Sequence, residues 1–280
     1  MRKRVAIQGV AGSYHDIAAR KYFGEEIEVV DCLTFREVVE TVTREPETAG
    51  MMAIENTIAG SLLQNHELIR GSGAWVMGEI KLRISHTLAA LPDTRPDEIK
   101  EVDSHPIALA QCMDFLNKLK GIRLIEAEDT ALSARRIAEE QRRGVAAVCS
   151  KLAAETFGLA ILAEGIETNK RNFTRFLVLE NSLKRKKSGN SEELNKASLV
   201  FSLPHSAGSL SQVLSILSFY SMSLTKIQSL PVIGREWEYL FYIDLTFKEY
   251  ARYRQSLDAI LPLISDFRIL GEYREGGQYV

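Results

Sequence analysis

The sequence predicts an α/β protein in which two lobes face a common cleft, followed by a ferredoxin-like βαββαβ unit. Three observations predict this arrangement. Short apolar runs alternate with amphipathic stretches over residues 1–181, which is typical of a largely parallel sheet covered by helices on both faces. Residues 182–196 are polar and have the composition of a linker. Residues 197–280 then contain two strand–helix–strand patterns in series.

The first lobe is predicted from periodicity and from breaks at glycine. Apolar runs predict strands at residues 5–7, 27–30 and 51–54. Amphipathic stretches predict helices at residues 14–23, 34–43 and 66–69. Ser13 lies three residues before Asp16, which is the spacing of a capping box, and so marks the start of the first helix.

The second lobe repeats this alternation. Residues 80–91 are predicted to be extended and to lead into it. Strands are predicted at residues 101–102, 123–125, 145–148 and 176–179. Helices are predicted at residues 107–119, 130–141 and 151–157, and Pro106 marks the start of the first of these.

The C-terminal unit is predicted from the same patterns. Strands are expected at residues 198–201, 224–229, 240–247 and 267–273, and helices at residues 209–220 and 250–261. This order is that of a ferredoxin-like module. Because the exposed strand edge of such a module tends to be covered by a second copy, we expect a homo-oligomer.

Composition and charge exclude several classes of function. The formal net charge is -2, so no basic field favours nucleic acid. No apolar stretch has the length of a signal peptide or a membrane span, so we expect no membrane association. Cys32, Cys112 and Cys149 are widely spaced, which indicates free thiols in a reducing cytoplasm. The histidines have no metal-ligand spacing, so we expect no metal site.

A glycine-broken turn, GVAGSYHDIAA at residues 9–19, precedes and opens the first helix. The N-terminus of a helix offers free N–H groups to an anion, which makes Gly12, Ser13 and Tyr14 candidates for binding one. The turn lacks the spacing of nucleotide-binding loops. A plain capped turn remains an equal alternative.

The stretch AIENTIAGSL, residues 53–62, places Glu55, Asn56 and Thr57 at the carboxyl end of a strand. Ligands of open α/β sheets bind at such ends, and the Asn56 amide can donate to a carboxylate or a hydroxyl. On these residues alone, an ordinary turn asparagine is the stronger alternative.

The stretch DSHPIALAQC, residues 103–112, starts a helix near Pro106. Ser104 and Gln111 share a face only if this helix starts early. An N-cap serine and a solvated glutamine are therefore favoured on the sequence alone. His105 is a candidate acid or base, although no neighbouring carboxylate orients it.

The stretch NFTRF, residues 172–176, places Thr174 and Arg175 at the start of an apolar strand, between Phe173 and Phe176. Neighbouring side chains of a regular strand alternate, so Thr174 and Arg175 would face opposite sides. A strand that begins only at Phe176 would relax this constraint. The alternative is a threonine suited to strand packing beside a surface arginine.

Taken in order, these stretches resemble the motifs of the prephenate dehydratase family. The family's G-x-x-G-[ST]-[YF], I-E-N-[ST], S-H-P, Q-C and T-R-F motifs correspond to residues 9–14, 54–57, 104–106, 111–112 and 174–176. The C-terminal unit resembles the ACT regulatory domain that usually follows. The resemblance implies a two-lobed, periplasmic-binding-protein-like catalytic domain over residues 1–181, a linker over 182–196 and an ACT domain over 197–280.

The resemblance implies a lyase that converts prephenate to phenylpyruvate, water and carbon dioxide. Because aromatisation of the ring drives this reaction, we expect no metal and no cofactor. Thr174 is expected to hydrogen-bond the departing hydroxyl, and Arg175 to be the cation that binds the dianionic substrate. The implied catalytic residues are Thr174, Arg175, Phe176, Asn56, Ser104 and Gln111. The implied substrate-binding residues are Gly12, Ser13, Tyr14, Glu55, Thr57, His105 and Phe173.

The resemblance also implies inhibition by L-phenylalanine, bound between two ACT domains of a dimer or tetramer. The implied effector-binding residues are Ala207, Gly208, Ser209, Leu210, Thr225, Gln228 and Ser229. The family usually has E-S-R-P in this region, whereas this chain has Gln-Ser-Leu-Pro at residues 228–231. This departure leaves the strength of the inhibition open.

Two alternatives to this function remain. Arogenate dehydratase acts on the aminated analogue of prephenate, and the motifs do not separate the two enzymes. Paired α/β lobes around a cleft also suit a non-catalytic protein that binds small anions. Such a solute-binding protein would carry an export signal, and a transcription regulator would carry a helix-turn-helix, and neither pattern is evident.

Overall fold

The first lobe occupies the N-terminal part of a computed structural model that describes residues 2–184, 193–232, 234–235 and 238–280. Its elements are β1 (Lys3–Gln8), α1 (Tyr14–Phe23), β2 (Ile27–Cys32), α2 (Phe35–Arg44), β3 (Ala49–Asn56), β4 (Gly60–Ser61), α3 (Leu63–Arg70) and β5 (Ala74–Arg83). β1 pairs in parallel with both β2 and β3. Ser13 caps α1, because its hydroxyl accepts the backbone N–H of Asp16 at 3.3 Å.

The second lobe has a separate sheet, five-stranded in the described part of the chain, with the order β10-β6-β9-β7-β8. Its elements are β6 (Thr87–Ala90), β7 (Glu101–Ser104), α4 (Pro106–Gln111), α5 (Met113–Leu116), β8 (Arg123–Glu126), α6 (Thr130–Glu139), β9 (Val145–Cys149), α7 (Lys151–Thr156) and β10 (Ala160–Glu164). The single helix predicted at residues 107–119 is divided at Cys112, where φ is -106° and ψ is 9°.

Two segments cross between the lobes. Because of them, the sheet of the first lobe contains antiparallel strands, and the prediction of a largely parallel sheet is wrong. Residues 80–91 do not form one strand, because β5 ends at Arg83 and β6 begins in the other sheet. The chain returns as β11 (Phe173–Asn181), which pairs antiparallel with β3 and β5. A strand that leaves a lobe and a strand that returns to it run in opposite directions, so this sheet is mixed.

The C-terminal unit has the predicted ferredoxin-like arrangement. Its elements are β12 (Lys196–Ser202), α8 (Ser209–Phe219), β13 (Ser223–Pro231), β14 (Tyr239–Thr246), α9 (Tyr250–Ile260), β15 (Ser265–Tyr273) and β16 (Gln278–Tyr279). The strands β13-β14-β12-β15 pair antiparallel in that order. The predicted fold class is thus confirmed for both the lobes and this unit.

The sheet of the C-terminal unit continues into that of the first lobe. β15 pairs with β5 at Gly271 and Val76, and a Cβ on Gly271 would lie 2.3 Å from the carbonyl oxygen of Val76. Only glycine permits so close an approach. Tyr242 and Tyr273 also pack in one apolar core with Val76 and Leu177. The C-terminal unit and the first lobe therefore share a core.

The predicted linker lies largely outside the described residues, because 185–192 are not described. Residues 182–184 form a single 3₁₀ turn after β11, and β12 begins at Lys196. The domain boundaries at 181 and 197 therefore stay predictions. Within the described residues, no helix is both long and apolar enough to cross a membrane.

Candidate active site

A cavity of about 1180 Å³ lies between the two lobes. Both lobes contribute to its wall, so a molecule bound between them can contact both. The residues of the sequence motifs that line it are Tyr14, Asn56, His105, Gln111, Thr174 and Phe176. The cavity also extends along α2 and α3, past Val39 and Leu68.

Thr174 and Asn56 project into this cavity from adjacent strands. Thr174 is paired with Asn56 across β11 and β3, and Arg175 is paired with Glu55. Paired residues of antiparallel strands share a face, and successive residues alternate between faces. The register shifts between Arg175 and Phe176, which places a bulge beside the site. Arg175 and Glu55 therefore face away from the cavity.

The Asn56 amide has a fixed orientation. Its Oδ1 accepts the backbone N–H groups of Ile58 and Ala59 at 2.9 and 2.8 Å. Because backbone N–H groups can only donate, the other end of the amide must be Nδ2. That nitrogen donates to Asn172 Oδ1 at 2.7 Å and to Thr174 Oγ1 at 2.9 Å.

The hydrogen-bond network continues from Asn172 into the second lobe. Asn172 Nδ2 donates to Gln111 Oε1 at 2.8 Å, and His86 Nε2 lies 3.0 Å from the same oxygen. Since that oxygen can only accept, His86 carries its proton on Nε2 and accepts at Nδ1, 2.8 Å from the Tyr14 hydroxyl. Gln111 belongs to α4, so the network spans both lobes.

Burial favours the neutral form of two imidazoles at this cavity, those of His15 and His86. Burial lowers the pKa of His86, although the hydrogen bond to Gln111 and the charge of Glu167 act in the opposite direction. Burial also lowers the pKa of His15 to about 3. Neither ring therefore adds positive charge to the cavity at neutral pH.

The Thr174 hydroxyl is available to donate into the cavity. Its oxygen accepts from Asn56, and the residue is buried, with 9% of its surface exposed. Within the described residues, its proton has no hydrogen-bond acceptor. A ligand oxygen in the cavity can take this position, while the amide of Asn56 holds the hydroxyl from behind.

A sequence model described as prephenate dehydratase matches residues 5–184. The match spans more than half of the chain and includes all of the motifs named above. The chain belongs to the prephenate dehydratase family. It is accordingly an enzyme of the hydro-lyase class, as the motifs implied.

Sequence similarity to other members of the family extends over nearly the whole chain. Arogenate dehydratase 5, chloroplastic, of Arabidopsis thaliana is 36% identical, covering 96% of this chain and 67% of the relative. Bifunctional chorismate mutase/prephenate dehydratase of Aquifex aeolicus (strain VF5) is 33% identical, covering 96% of this chain and 73% of the relative. The similarity therefore includes the C-terminal unit.

Solved structures share the fold over the same extent. Prephenate dehydratase from Arthrobacter aurescens, in complex with L-Phe, has a TM-score of 0.85 at 23% identity, covering 97% of this chain and 90% of that one. GqqA, described as a novel type of quorum quenching acylase, has a TM-score of 0.87 at 27% identity, covering 97% of each chain. These likenesses support the two-lobed fold with its appended unit.

In the T-R-F motif of this prephenate dehydratase family member, the role predicted for Arg175 is wrong. The structure contradicts the prediction that Arg175 binds the substrate, because its guanidinium points away from the cavity. Its Nε donates to Glu79 at 2.6 Å, and its other nitrogens donate to Asp244 at 2.5 Å and to the Tyr273 hydroxyl at 3.1 Å. Since β11 begins at Phe173, strand alternation places Arg175 on the face of the sheet opposite to that of Thr174.

Three predicted substrate-binding residues also lie outside the cavity. Glu55 pairs with Lys226 at 2.5 Å, on the same side of the sheet as Arg175. Thr57 accepts the backbone N–H of Phe173 at 2.9 Å. Phe173 begins β11 and is absent from the cavity wall. These residues fix the strands around the site and do not face its interior.

Ser104 is likewise placed away from the cavity. It is fully buried, and its hydroxyl donates to the carbonyl oxygen of Val148 at 2.5 Å. The structure therefore does not support the predicted catalytic role of Ser104, whose hydroxyl instead links β7 to β9. The N-cap of α4 is His105, whose Nδ1 accepts from the backbone N–H of Ile107 at 3.2 Å.

The glycine turn at residues 9–14 joins the lobes and, apart from Tyr14, does not line the cavity. The carbonyl oxygen of Gly12 accepts from the Ser150 hydroxyl at 2.5 Å. A Cβ on Gly12 would lie 2.7 Å from Ala153 Cα, so this contact between lobes requires glycine. The predicted anion-binding role of Gly12 and of the capping Ser13 is not supported by these positions.

Three residues of the site were not identified from the sequence: Asn172, His86 and Arg36. Asn172 stands at the head of NFTRF, but no spacing marks a role for it or for His86. Arg36 lies in the first turn of α2 and, among the described residues that line the cavity, is the one arginine or lysine. Four carboxylates share that wall: Glu40, Glu67, Glu128 and Asp129.

The predicted effector residues lie at two places in the C-terminal unit. Ala207 and Gly208 precede α8, which begins at Ser209 and Leu210, and Gly208 has a φ of 84°. Thr225, Gln228 and Ser229 lie on β13, at the edge of the sheet. Their role in binding stays a prediction. In the residues that the structure describes, no group of three or more His, Cys, Asp or Glu side chains is arranged to hold a metal ion.

Proposed function

We propose that this enzyme catalyses the decarboxylating dehydration of prephenate to phenylpyruvate. The observation that supports this most is the Thr174 hydroxyl, which accepts from the oriented Asn56 amide and has its own proton free to donate. Aromatisation drives the reaction, so the enzyme needs a placed donor more than a strong acid. A donor of this kind commonly contributes about 10²–10⁴-fold to the rate.

In the proposed reaction, the bond between the ring and its carboxylate breaks and carbon dioxide leaves. The electron pair of that bond completes the aromatic ring, and the bond between the ring and the C4 hydroxyl breaks. The departing oxygen takes up one proton, drawn ultimately from solvent, and leaves as water. Thr174 stabilises the negative charge that develops on this oxygen by donating to it. Phe176, in the same wall, keeps water away from the leaving carboxylate.

Closure of the lobes is proposed to complete this arrangement. Asn56 is held by Asn172, which is held by Gln111 from the second lobe. If the lobes separate, the hydrogen bond from Asn172 to Gln111 is broken, and Asn172, which accepts from Asn56, loses its support from the second lobe. Catalysis would then occur only in the closed state, where water is also excluded.

The charge of prephenate points to Arg36 as its cationic partner. Prephenate carries two carboxylates, Arg175 is engaged elsewhere, and burial keeps His15 and His86 neutral. Arg36 is exposed at the cavity wall, where it can reach a carboxylate while the reacting centre lies at Thr174. We therefore assign binding of one carboxylate to Arg36 and the remaining contacts to neutral donors.

The carboxylates of the cavity wall favour arogenate as a second candidate substrate. Arogenate has an ammonium group in place of the keto oxygen and therefore one net negative charge fewer than prephenate. Glu67 and Glu128 are paired with Arg70 and Arg136, but Glu40 and Asp129 remain against Arg36, and these two repel a dianion more than an anion with an ammonium group. Several relatives are also named arogenate dehydratases, among them one that is 36% identical.

The deciding experiment compares kcat/KM on prephenate and on arogenate with purified, metal-free protein. Turnover of either one supports decarboxylating dehydration, and the ratio selects the substrate. If both remain intact while an acyl substrate is hydrolysed, the proposal fails. Acyl transfer would require a base for the Thr174 hydroxyl, and none of the described carboxylates or imidazoles bonds to it.

We also propose that L-phenylalanine inhibits the enzyme by binding the C-terminal unit of a dimer or tetramer. The L-Phe complex of the Arthrobacter aurescens protein, which has the same fold, supports this. In the described part of the chain, no strand pairs with the outer edge of β13, so this edge can face a second copy, as the oligomer requires. A turnover assay with added L-phenylalanine and a mass measurement in solution test both parts. An unchanged rate at millimolar effector would refute the inhibition.

A further inference from the structure

Six charged side chains meet on the side of the sheet that faces away from the cavity. Arg175 contacts Glu79 at 2.6 Å and Asp244 at 2.5 Å. Lys196 contacts Glu79 at 2.8 Å, and Lys226 contacts Glu55 at 2.5 Å. We name this group the rear cluster; its members are Glu55, Glu79, Arg175, Lys196, Lys226 and Asp244.

Most of the rear cluster is buried, and its opposite charges meet across the boundary between the two parts of the molecule. The side chains of Glu79, Lys196 and Arg175 are 0%, 2% and 6% exposed. The first lobe contributes two carboxylates and one guanidinium, and the C-terminal unit contributes two ammonium groups and one carboxylate. Separation of the parts would take Asp244 from Arg175 and Lys196 from Glu79, and leaving buried charges without these partners is strongly unfavourable. The cluster thus fixes one position of the C-terminal unit.

The members of the cluster adjoin the residues of the site on the same two strands. Arg175 follows Thr174 on β11, and Glu55 precedes Asn56 on β3. A shift of one residue in a strand moves every side chain to the other face. Any register that keeps Arg175 and Glu55 paired with the C-terminal unit keeps Thr174 and Asn56 in the cavity.

We propose that Arg175 is a positioning residue, and that the rear cluster couples the C-terminal unit to the catalytic strands β3 and β11. The C-terminal unit thereby sets the position of Thr174 and Asn56 without touching the substrate. A change in the placement of this unit moves the charges of the cluster and, with them, the hydroxyl and the amide on the opposite face. The kinetic test of this inference rests on the proposed function, whereas its exchange test does not.

A second contact between the same two parts provides a matched control. The Tyr242 hydroxyl donates to Glu67 at 2.6 Å, and Glu67 lies on α3 and not on β3 or β11. Tyr242→Phe removes this bond, while Glu67 keeps its ion pair with Arg70. The control therefore weakens the same interface without touching the rear cluster.

The test uses Lys226→Met in the full-length chain, with Lys226→Arg as its conservative variant. We expect Lys226→Met to lower kcat at least tenfold with less than a threefold change in KM. Lys226→Arg should recover more than half of the rate, and Tyr242→Phe should stay within threefold of the unaltered enzyme. A Lys226→Met variant with unchanged kcat overturns the inference, as does a loss that Lys226→Arg does not recover.

Hydrogen exchange provides a readout that requires no turnover. We expect amides of residues 53–56 and 173–177 to exchange faster in Lys226→Met and to be unchanged in Tyr242→Phe. Should Lys226→Met fail to fold, Glu55→Gln tests the same ion pair from the other side. Unaltered exchange in these segments, in whichever of the two variants folds, overturns the inference even if the enzyme acts on neither proposed substrate.

Discussion

The two faces of β3 and β11 are held by different interactions: neutral hydrogen bonds on the cavity face and buried ion pairs on the other. On the cavity face, Asn56 and Thr174 belong to a network of neutral amides and hydroxyls whose direction is set by backbone N–H groups. On the other face, Arg175 and Glu55 belong to a buried group of charges shared with the C-terminal unit. Neutral donors give a hydroxyl direction without the cost of burying a charge, whereas paired charges specify one arrangement of two parts.

The cavity face is tested most strongly by Thr174→Val, which keeps the shape of the side chain and removes the hydroxyl. We expect kcat to fall by about 10²–10⁴-fold, because the donor to the departing oxygen is lost. KM should change little, since the interaction forms mainly in the transition state. Steady-state kinetics on the preferred substrate measures both.

Thr41→Val is the matched control for this variant. Thr41 is buried on α2, outside the cavity, and among the described residues its hydroxyl has only a 3.9 Å contact with the Cys32 sulfur. Its kcat should remain near that of the unaltered enzyme. An equal loss of activity in both variants would mean that Thr174 acts through stability and not through its hydroxyl.

The other face is tested by Asp244→Asn, which removes one of the carboxylates that pair with Arg175 and leaves the rear cluster with one negative charge fewer. We expect the free energy of unfolding to fall by about 3–5 kcal/mol at neutral pH, as measured by urea denaturation. Asp266→Asn is the control, because Asp266 and its partner Arg235 are about half exposed. That surface pair should contribute no more than about 1 kcal/mol.

The pH dependence of this loss has a defined sign. Burial raises the pKa of Asp244, but Arg175, Ser198 and Lys196 outweigh it and bring the pKa below its ordinary value. A depressed folded pKa contributes stability above the unfolded pKa of about 3.9, and this contribution is lost as pH falls through the folded pKa. The difference between Asp244→Asn and the unaltered enzyme should therefore shrink below about pH 4. A constant difference would contradict the ionic assignment.

The contrast between the two faces also separates what the sequence predicts from what it does not. The motifs bring Tyr14, Asn56, Gln111 and Thr174 to one cavity, because each motif ends or begins an element at the cleft. Strand alternation, a local rule, already places Arg175 opposite Thr174. The partner of Arg175 is not predictable in this way, since Asp244 is 69 positions away and no local pattern connects them.

The missed histidine has the same explanation. His86 gains its role from Tyr14 and Gln111, which are 72 and 25 positions away in the sequence. The predicted extended run at residues 80–91 also hid the place where the chain crosses between lobes, because hydrophobicity continues through the break between β5 and β6. Long-range pairing and the end of one sheet are properties of the folded chain and leave no periodic signal.

A smaller effect is expected from Arg36→Gln, which tests whether the cavity uses a cation at its wall and not at its centre. KM should rise about tenfold with kcat nearly unchanged, because a charge-assisted hydrogen bond to the bound substrate is lost. Added salt should narrow the difference, since Arg36 is exposed. Arg44→Gln, at the other end of α2 and outside the cavity wall, should leave KM unchanged.

The smallest expected effect concerns His86 and the direction of the neutral network. Because burial lowers the pKa of His86, the ring stays neutral as pH falls through 6.5, the ordinary value for histidine. The acid limb of kcat should therefore lie below pH 6.5, where protonated Nδ1 can no longer accept from Tyr14 and the hydroxyl is left with the Ser85 carbonyl oxygen at 2.8 Å as its acceptor. His86→Gln should lower kcat by no more than about tenfold, the equivalent of one buried hydrogen bond, and should flatten that limb. The exposed His205→Gln should leave the profile unchanged. An acid limb that persists in His86→Gln would show that protonation of another group lowers kcat. The network on the cavity face would then depend on a charged group that its hydrogen bonds do not reveal.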